Sequence, residues 1–387
     1  MNSIDLGDLS FYWRMADEPA SPSIVPKFLP FTFGFNSQLQ LITQEPHPAV
    51  LQALERIYLE DHNIGYMQPG HALADKYGQD FLKFIRQSLS SIQRPVRKIL
   101  DVGCGGCYVL RELKSAGFDV FGIDPSPVTS RFAEQFGIPV ATGFYPCDHN
   151  HGEMDVVVSS GILEHVPDPL TFLRSHLNDL PGDGHIIVSV PDSEPSIVLG
   201  DVSMILHEHI SYFDEGSLRN LITAAGFEVI TIGKATYGCS LYCFARVPHN
   251  EQPSNLIQRN VVEGDAKFEV FGNRLSQSVR KMDNYLRPLL NNPDASIGFY
   301  VPLRPLPYLS IMKIFSGFRF FDDDPGVHGK YFDGFDVPVE NFQDLKNRPT
   351  THMAIMSLPH AKVIEQKIRS SFGDRIAVTS LEHILSN

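Results

Sequence analysis

The chain has 387 residues, 43% of them hydrophobic, with a formal charge of -13 at pH 7 and a pI near 5.6. That length carries two or three domains with a substantial core, and the acidic balance argues against a nucleic-acid partner. No apolar run approaches a membrane span, the start Met1-Asn-Ser-Ile-Asp-Leu-Gly-Asp8 lacks the basic opening of a signal peptide, and five scattered cysteines make no disulfide scaffold, so a soluble cytoplasmic protein without membrane partners is expected.

Residues 1–65 form a first region, rich in proline and phenylalanine early on and helix-like from Pro48 to Glu60. Asn63-Ile-Gly-Tyr-Met-Gln68 leads into an amphipathic helix from His71 to Ser88, expected to pack beside a sheet. A nucleoside-binding domain is expected over residues 66–248. Its most informative stretch is Lys98-Ile-Leu-Asp-Val-Gly-Cys-Gly-Gly-Cys107, followed by Val120-Phe-Gly-Ile-Asp-Pro125. Gly103 and Gly105 let the backbone approach a ligand and adopt positive φ, while Asp124 can accept hydrogen bonds from two ribose hydroxyls. Asp101, Gly103, Cys104, Gly105, Asp124 and Pro125, with Ser160 at the end of a later apolar run, are the expected cofactor-binding residues.

The loop departs from a dinucleotide fingerprint because Asp101 sits inside the turn. A carboxylate repels a pyrophosphate and attracts an ammonium, which favours S-adenosylmethionine. At these residues the sequence resembles the class I S-adenosylmethionine-dependent methyltransferases.

Further along, Asp155-Val-Val-Val-Ser-Ser160 and His185-Ile-Ile-Val-Ser-Val190 read as buried parallel strands. They alternate with helical stretches at Tyr108–Gly117, Pro127–Phe136 and Asp168–Leu180, an order that makes a doubly wound, Rossmann-like α/β sheet. Gly161-Ile-Leu-Glu-His-Val-Pro-Asp168 and the turn Pro181-Gly-Asp-Gly184 match the family's "leucine-glutamate-histidine" stretch and its "proline-glycine-glycine" turn, with Asp183 in place of the second glycine. Cys104-x-x-Cys107 reads as small residues in a tight turn rather than a metal pair, and Cys239 and Cys243, evenly separated in a strand, share a core-facing side.

Residues 249–295 read as a helical connector, polar from Glu251 to Asn291 and closed by Asn291-Asn-Pro-Asp294. Residues 296–387 show apolar runs at Ser296–Val301, Phe318–Phe321, Met353–Ser357 and Ile376–Val378, which suggest a second, smaller α/β domain of the same kind. Phe299-Tyr-Val, Phe321-Asp-Asp-Asp-Pro325 and Gly329-Lys-Tyr-Phe-Asp-Gly-Phe-Asp-Val-Pro-Val339 look like the C-terminal domain of sugar C-methyltransferases acting on nucleotide-linked keto-deoxysugars. Where that family has a glycine-rich loop, this chain has Val301-Pro-Leu-Arg-Pro-Leu-Pro-Tyr308. Its prolines remove amide donors, and Arg304 is left as the group that could bind an anion.

Leu206-His-Glu-His-Ile-Ser-Tyr-Phe213 is similar to the same family's "glutamate-histidine, then serine-tyrosine-phenylalanine" motif. Tyr237-Gly-Cys-Ser-Leu241 stands where that family has a "histidine-glycine-glycine-serine" strand start. The resemblance implies His209 as general base and Glu208 as a positioning or electrostatic residue; His165, His207 and Tyr212 are secondary acceptor-site candidates. Histidine titrates near neutrality and can take the proton beside a ketone, so that the resulting enolate attacks the activated methyl; Tyr212 or His207 would stabilise the enolate oxygen.

Leu206 replaces the family's tyrosine, and the family's zinc-binding module is missing because no cysteine precedes Cys104. His207 and His209 could be an H-x-H metal pair if they lay on a strand, but a third ligand is unassigned and no metal is expected. The expected partner is a small-molecule acceptor, a nucleotide sugar. An O- or N-methyltransferase, or a catalytically reduced scaffold that keeps the fold, are the alternatives.

Overall fold

The computed structural model describes residues 3–19, 21–59, 72–149, 151–248 and 261–387. The stretch Asn63–Gln68, the helix start at His71, the 65/66 junction and the opening of the 249–295 connector lie outside the described residues.

The first segment holds β1 (Ser3–Ser10), β2 (Met15–Ala16), β3 (Phe28–Asn36), β4 (Leu41–Gln44) and helix α1 (Pro48–Leu59). The phenylalanine-rich run is an amphipathic strand with period two. Leu29, Phe31 and Phe33 are 2%, 0% and 0% exposed while the residues between them are half-buried, and each buried side chain stabilises by roughly 2 kcal/mol.

The central segment runs α2 (Ala72–Ser91), β5 (Lys98–Val102), α3 (Tyr108–Ser115), β6 (Asp119–Asp124), α4 (Pro127–Phe136), β7 (Val140–Thr142), β8 (Val156–Ser160), α5 (Pro169–Ser175), β9 (His185–Pro191), α6 (Glu194–Leu199), β10 (Ser211–Tyr212), α7 (Glu215–Ala224), β11 (Glu228–Lys234) and β12 (Ser240–Arg246). Seven of these strands form one sheet in the order β11-β12-β9-β8-β5-β6-β7. The five from β9 to β7 are parallel; β12 is antiparallel to β9 and β11 to β12. The strands read as continuous β-branched runs because both faces are covered. Val156, Val157, Ile186 and Ile187 are all fully buried.

The last segment begins with α8 (Val261–Leu290), followed by β13 (Ile297–Tyr300), α9 (Leu306–Met312), β14 (Phe318–Asp322), β15 (Tyr331–Phe332), β16 (Val339–Asn341), β17 (His352–Ile355), α10 (Ala361–Phe372), β18 (Ala377–Ser380) and α11 (Leu381–Ser386). Its five-stranded sheet, β16-β14-β13-β17-β18, is wholly parallel, so the strand order reverses between β13 and β17. The architecture is α/β, with a Rossmann-like sheet in the centre and a second, smaller α/β sheet after it. Among the described residues no helix is long and apolar enough to cross a membrane.

The first segment fastens both sheets. It forms the antiparallel sheet β1-β3-β4-β10, borrowing β10 from the central segment, while β2 pairs with β15 of the last one. A second fastening lies at Asp201, which is fully buried. Its Oδ1 accepts the Ser203 amide at 2.8 Å and the Tyr308 hydroxyl at 3.0 Å, and its Oδ2 accepts the hydroxyls of Ser203 at 2.6 Å and Ser196 at 3.2 Å. Beside it Gly200, at φ 66, lies flush on α8, where an added Cβ would stand 2.2 Å from the Arg274 backbone. Asp201→Ala leaves four donors without that acceptor and is expected to destabilise by about 3 kcal/mol, against about 1 kcal/mol for Tyr308→Phe. Urea unfolding of both variants checks the ranking; midpoints equal to wild type would refute it.

Candidate active site

The glycine loop is built by three residues at positive φ, Gly103 (77), Gly105 (48) and Cys107 (58), which turn the chain from β5 into α3. The Gly103 amide donates to Ile123 at 2.8 Å, tying the loop to β6. An added Cβ on Gly103 would stand 2.2 Å from Ile162, so this loop and the turn after β8 pack in direct contact. Cys104 points down, and its sulfur would lie 2.6 Å from a Cβ on Gly122, which explains that glycine in the middle of β6. The neighbouring Cys107 thiol, then burial, push the Cys104 thiol up well above its ordinary range, leaving an inert thiol in a packed turn.

Asp124 closes β6 and ties the glycine loop to the start of α4. Its Oδ2 accepts the Gly105 amide at 2.8 Å, and its Oδ1 accepts the Ser126 amide at 2.8 Å and the Thr129 hydroxyl at 2.9 Å. Oδ1 thereby spends both lone pairs and Oδ2 keeps one, so the expected grip on two ribose hydroxyls narrows to one free acceptor position. Asp101, 3% exposed, is raised well above the usual carboxylate range by burial and by the Asp124 charge. A cation beside it would hold it ionised, which fits an ammonium or sulfonium and not a pyrophosphate. Pro125 starts the turn into α4, and Ser160 ends β8 half-buried on the same sheet edge.

The turn after β8 and the segment after α6 are joined backbone to backbone. The Glu164 carbonyl accepts the amides of Ile210 at 2.6 Å and Ser211 at 3.0 Å, and His165 Nδ1 lies 2.9 Å from the Glu208 carbonyl. That carbonyl can only accept, so Nδ1 carries the proton and Nε2 keeps a free lone pair. The His165 and His209 rings meet edge to face with centroids 5.0 Å apart. Burial first, then the charges of His165 and Arg304, hold His209 well below the ordinary histidine range, and burial lowers His165 to about 4. Both rings are neutral at pH 7.

Glu164 completes the cluster. It is 3% exposed, burial raises its carboxyl to about 8, and its Oε2 has no hydrogen-bond partner. One ligand atom each from Glu164, His165 and His209 lies within 4.8 Å of the others, a spacing compatible with a divalent metal. These are not the pair that the H-x-H pattern suggests.

His207 faces away from this cluster. The segment is a turn, with the His209 amide donating to the Leu206 carbonyl at 2.9 Å, so alternation does not apply. The His207 ring lies between Phe11 and Phe31 with Nε2 3.0 Å from the Leu29 carbonyl, a satisfied core histidine under the β1-β3 sheet. Tyr212 is buried too, packed on Phe33, with its hydroxyl 3.4 Å from the Leu206 carbonyl and its ring 6.3 Å from His209. Both side chains are packed against the phenylalanines of β3. Glu208, 8% exposed, contributes its carbonyl to His165. Cys239 precedes β12 and bonds the Asp192 carbonyl at 3.3 Å, while Cys243 is core, so the two do not share a strand face.

Two participants escaped the sequence reading. Gln44 of β4, 1% exposed, reaches the carbonyls of His207 and His209 at 3.1 Å each with its amide nitrogen turned toward them. Glu164 lay within the quoted "leucine-glutamate-histidine" stretch, and its place before His165 was the available signal.

Residues 74–232 match the family described as "Methyltransferase domain". The chain is 35% identical over 101 residues to ubiquinone biosynthesis O-methyltransferase of Aliivibrio fischeri, covering 24% of this chain and 43% of that protein. It is 30% identical over 126 residues to the Bordetella avium protein of the same name, covering 30% and 52%. The chain thus spans about half the length of the curated relatives it matches. Among solved structures it is similar to the N-methyltransferase NodS of Bradyrhizobium japonicum with S-adenosylhomocysteine (TM-score 0.39, 16% identity, 51% of this chain and 98% of that one). It is also similar to the Burkholderia thailandensis 1,6-didemethyltoxoflavin-N1-methyltransferase (TM-score 0.41, 18% identity, 59% and 99%). Residues 74–232 are thus the part of the chain that is similar to a methyltransferase domain.

Proposed function

We propose that the protein transfers methyl from S-adenosylmethionine to a small-molecule acceptor in the cytoplasm, specifically to the carbon beside the carbonyl of a nucleotide-linked keto-deoxysugar, with His209 as general base. The observation that carries this reading is the neutral, half-buried imidazole of His209 in a turn bonded to the loop that packs on Gly103. Bound S-adenosylmethionine supplies an electrophilic methyl on a cationic sulfur. Asp101 and the free lone pair of Asp124 hold it at the carboxyl edge of the central sheet. His209 would take the α-proton and leave an electron pair on carbon to bond the methyl, whose bond to sulfur would break with its electrons on sulfur, so that S-adenosylhomocysteine leaves. An imidazolium formed there is stabilised by an opposite charge. Glu164, protonated below about pH 8, ionises more readily once that charge appears, and His165 lies beside it with its Nε2 3.8 Å from the Glu164 carboxyl.

A second reading is methylation of a hydroxyl oxygen. The curated relatives are named O-methyltransferases, and His209 would remove a hydroxyl proton equally well. Carbon-13 NMR of the product formed from labelled methyl donor separates the two, since a methyl on carbon and one on oxygen resonate far apart.

Titration calorimetry is expected to show S-adenosylhomocysteine binding that Asp124→Ala weakens about tenfold; a wild type that binds none refutes the reading. His209→Ala is expected to lower kcat by about 10²- to 10⁴-fold while S-adenosylhomocysteine affinity holds. Turnover unchanged in that variant would remove His209 as base. His209 must be unprotonated to act and its pKa is depressed, so kcat should be flat at neutral pH and fall only well below pH 6.5. Stability follows the same sign through His165. Between pH 6.5 and about 4 the unfolded chain binds its proton more readily, so the His165 contribution is present above pH 6.5 and lost on acidification through that window. Thermal melts across that range, compared with His165→Phe, test this.

A further inference from the structure

Glu164, His165 and His209 form a donor set that proton transfer alone does not use. Each offers one ligand atom, and the three atoms lie within 4.8 Å of one another; among the described residues no other group of three histidines, cysteines or acids meets that spacing. Two imidazoles and one carboxylate suit zinc and its first-row neighbours, whereas magnesium and calcium favour oxygen ligands.

The ligands are aimed and held. His165 Nδ1 bonds the Glu208 carbonyl at 2.9 Å, which leaves the lone pair on Nε2, and Nε2 lies 3.8 Å from Glu164 Oε1. A backbone carbonyl on the far nitrogen fixes the tautomer and the ring plane, as metal-ligating histidines require. That 3.8 Å gap is too long for a hydrogen bond, so no shared proton ties the pair. Two ligands bonded at about 2.1 Å to one tetrahedral ion stand roughly 3.4 Å apart, which a small side-chain shift reaches. The His209 ring meets His165 edge to face with centroids 5.0 Å apart, and Gln44 supports the His209 carbonyl.

Glu164 supplies an independent sign. Its side chain is almost wholly buried, and its Oε2 has no hydrogen-bond partner. Leaving a buried oxygen without a donor costs about 1–3 kcal/mol, and a coordinated cation removes that cost. The Glu164 backbone is fixed as well, since its carbonyl holds the Ile210 and Ser211 amides.

We infer that Glu164, His165 and His209 bind one divalent transition-metal ion, zinc in particular, and that an occupied site blocks methyl transfer. The ion takes the lone pair with which His209 would remove the acceptor's proton, and a neutral imidazole has only one to give. The metal assignment stands on the geometry alone. The block rests on His209 being the base, as proposed above.

The test uses the full chain, stripped of metal by chelation and dialysis, and titrated with Co²⁺. A visible absorption band is expected to saturate at one ion per chain and to be displaced by Zn²⁺ but not by Mg²⁺. His165→Gln, His209→Gln and Glu164→Gln should each weaken binding about tenfold or more, with unfolding midpoints reporting which variants fold. If one variant fails to fold, the other two carry the comparison. No saturable band in wild type, or a band that the folded variants keep, overturns the site. In the methyl-transfer assay one equivalent of Zn²⁺ is expected to lower the rate about tenfold or more, and a chelator to restore it. Zinc that binds through these residues while turnover holds or rises overturns the block. A chain that transfers no methyl with or without zinc refutes the transfer reading and the block with it, while the cobalt spectrum still decides the site.

Discussion

One backbone oxygen fixes the geometry of the site. The Glu164 carbonyl receives two successive amides, Ile210 and Ser211, and so clamps the turn after β8 to the turn that bears His209. On one side that clamp continues through Ile162 to Gly103; on the other it continues through Ser211 and Tyr212, which pair with β4. The glycine loop, a histidine pair and a separate antiparallel sheet are thereby held in one register.

Burial without matching charge sets the chemistry. Asp101 and Glu164 are carboxyls raised by desolvation, and His165 and His209 are imidazoles lowered by it. Each is pushed toward its neutral form. A cationic cofactor entering beside Asp101 and a proton arriving at His209 would each meet an acid able to ionise in response. Perturbed groups of opposite type gathered at one sheet edge are the usual mark of a working site.

Much of this was legible from short-range pattern. Pro127–Phe136 is a helix with the bounds read from the sequence, and the runs beginning at Lys98, Asp155 and His185 are parallel strands because β-branched residues buried on both faces have no other economical arrangement. The N-terminal sheet was not legible, since its phenylalanines become a strand only by pairing with distant segments. The β16 strand was too short to stand out. His207 misled for a local reason: alternation assumes an extended chain, and the Leu206–His209 hydrogen bond makes a turn. Gln44 could not be read at all, because its partners are carbonyls with no signature in side-chain chemistry.

The borrowed strand β10 has a consequence for biosynthesis. The first segment cannot complete its sheet until Ser211 and Tyr212 emerge, and its remaining ties, from Ser10 to Ser310 and to the Asp333 carbonyl and from β2 to β15, wait for the end of the chain. Such long loops close late and slowly. On the ribosome, the central sheet can form with its glycine loop in place while Gln44 still has nothing to bind, so that loop is set before the wall that supports the histidines.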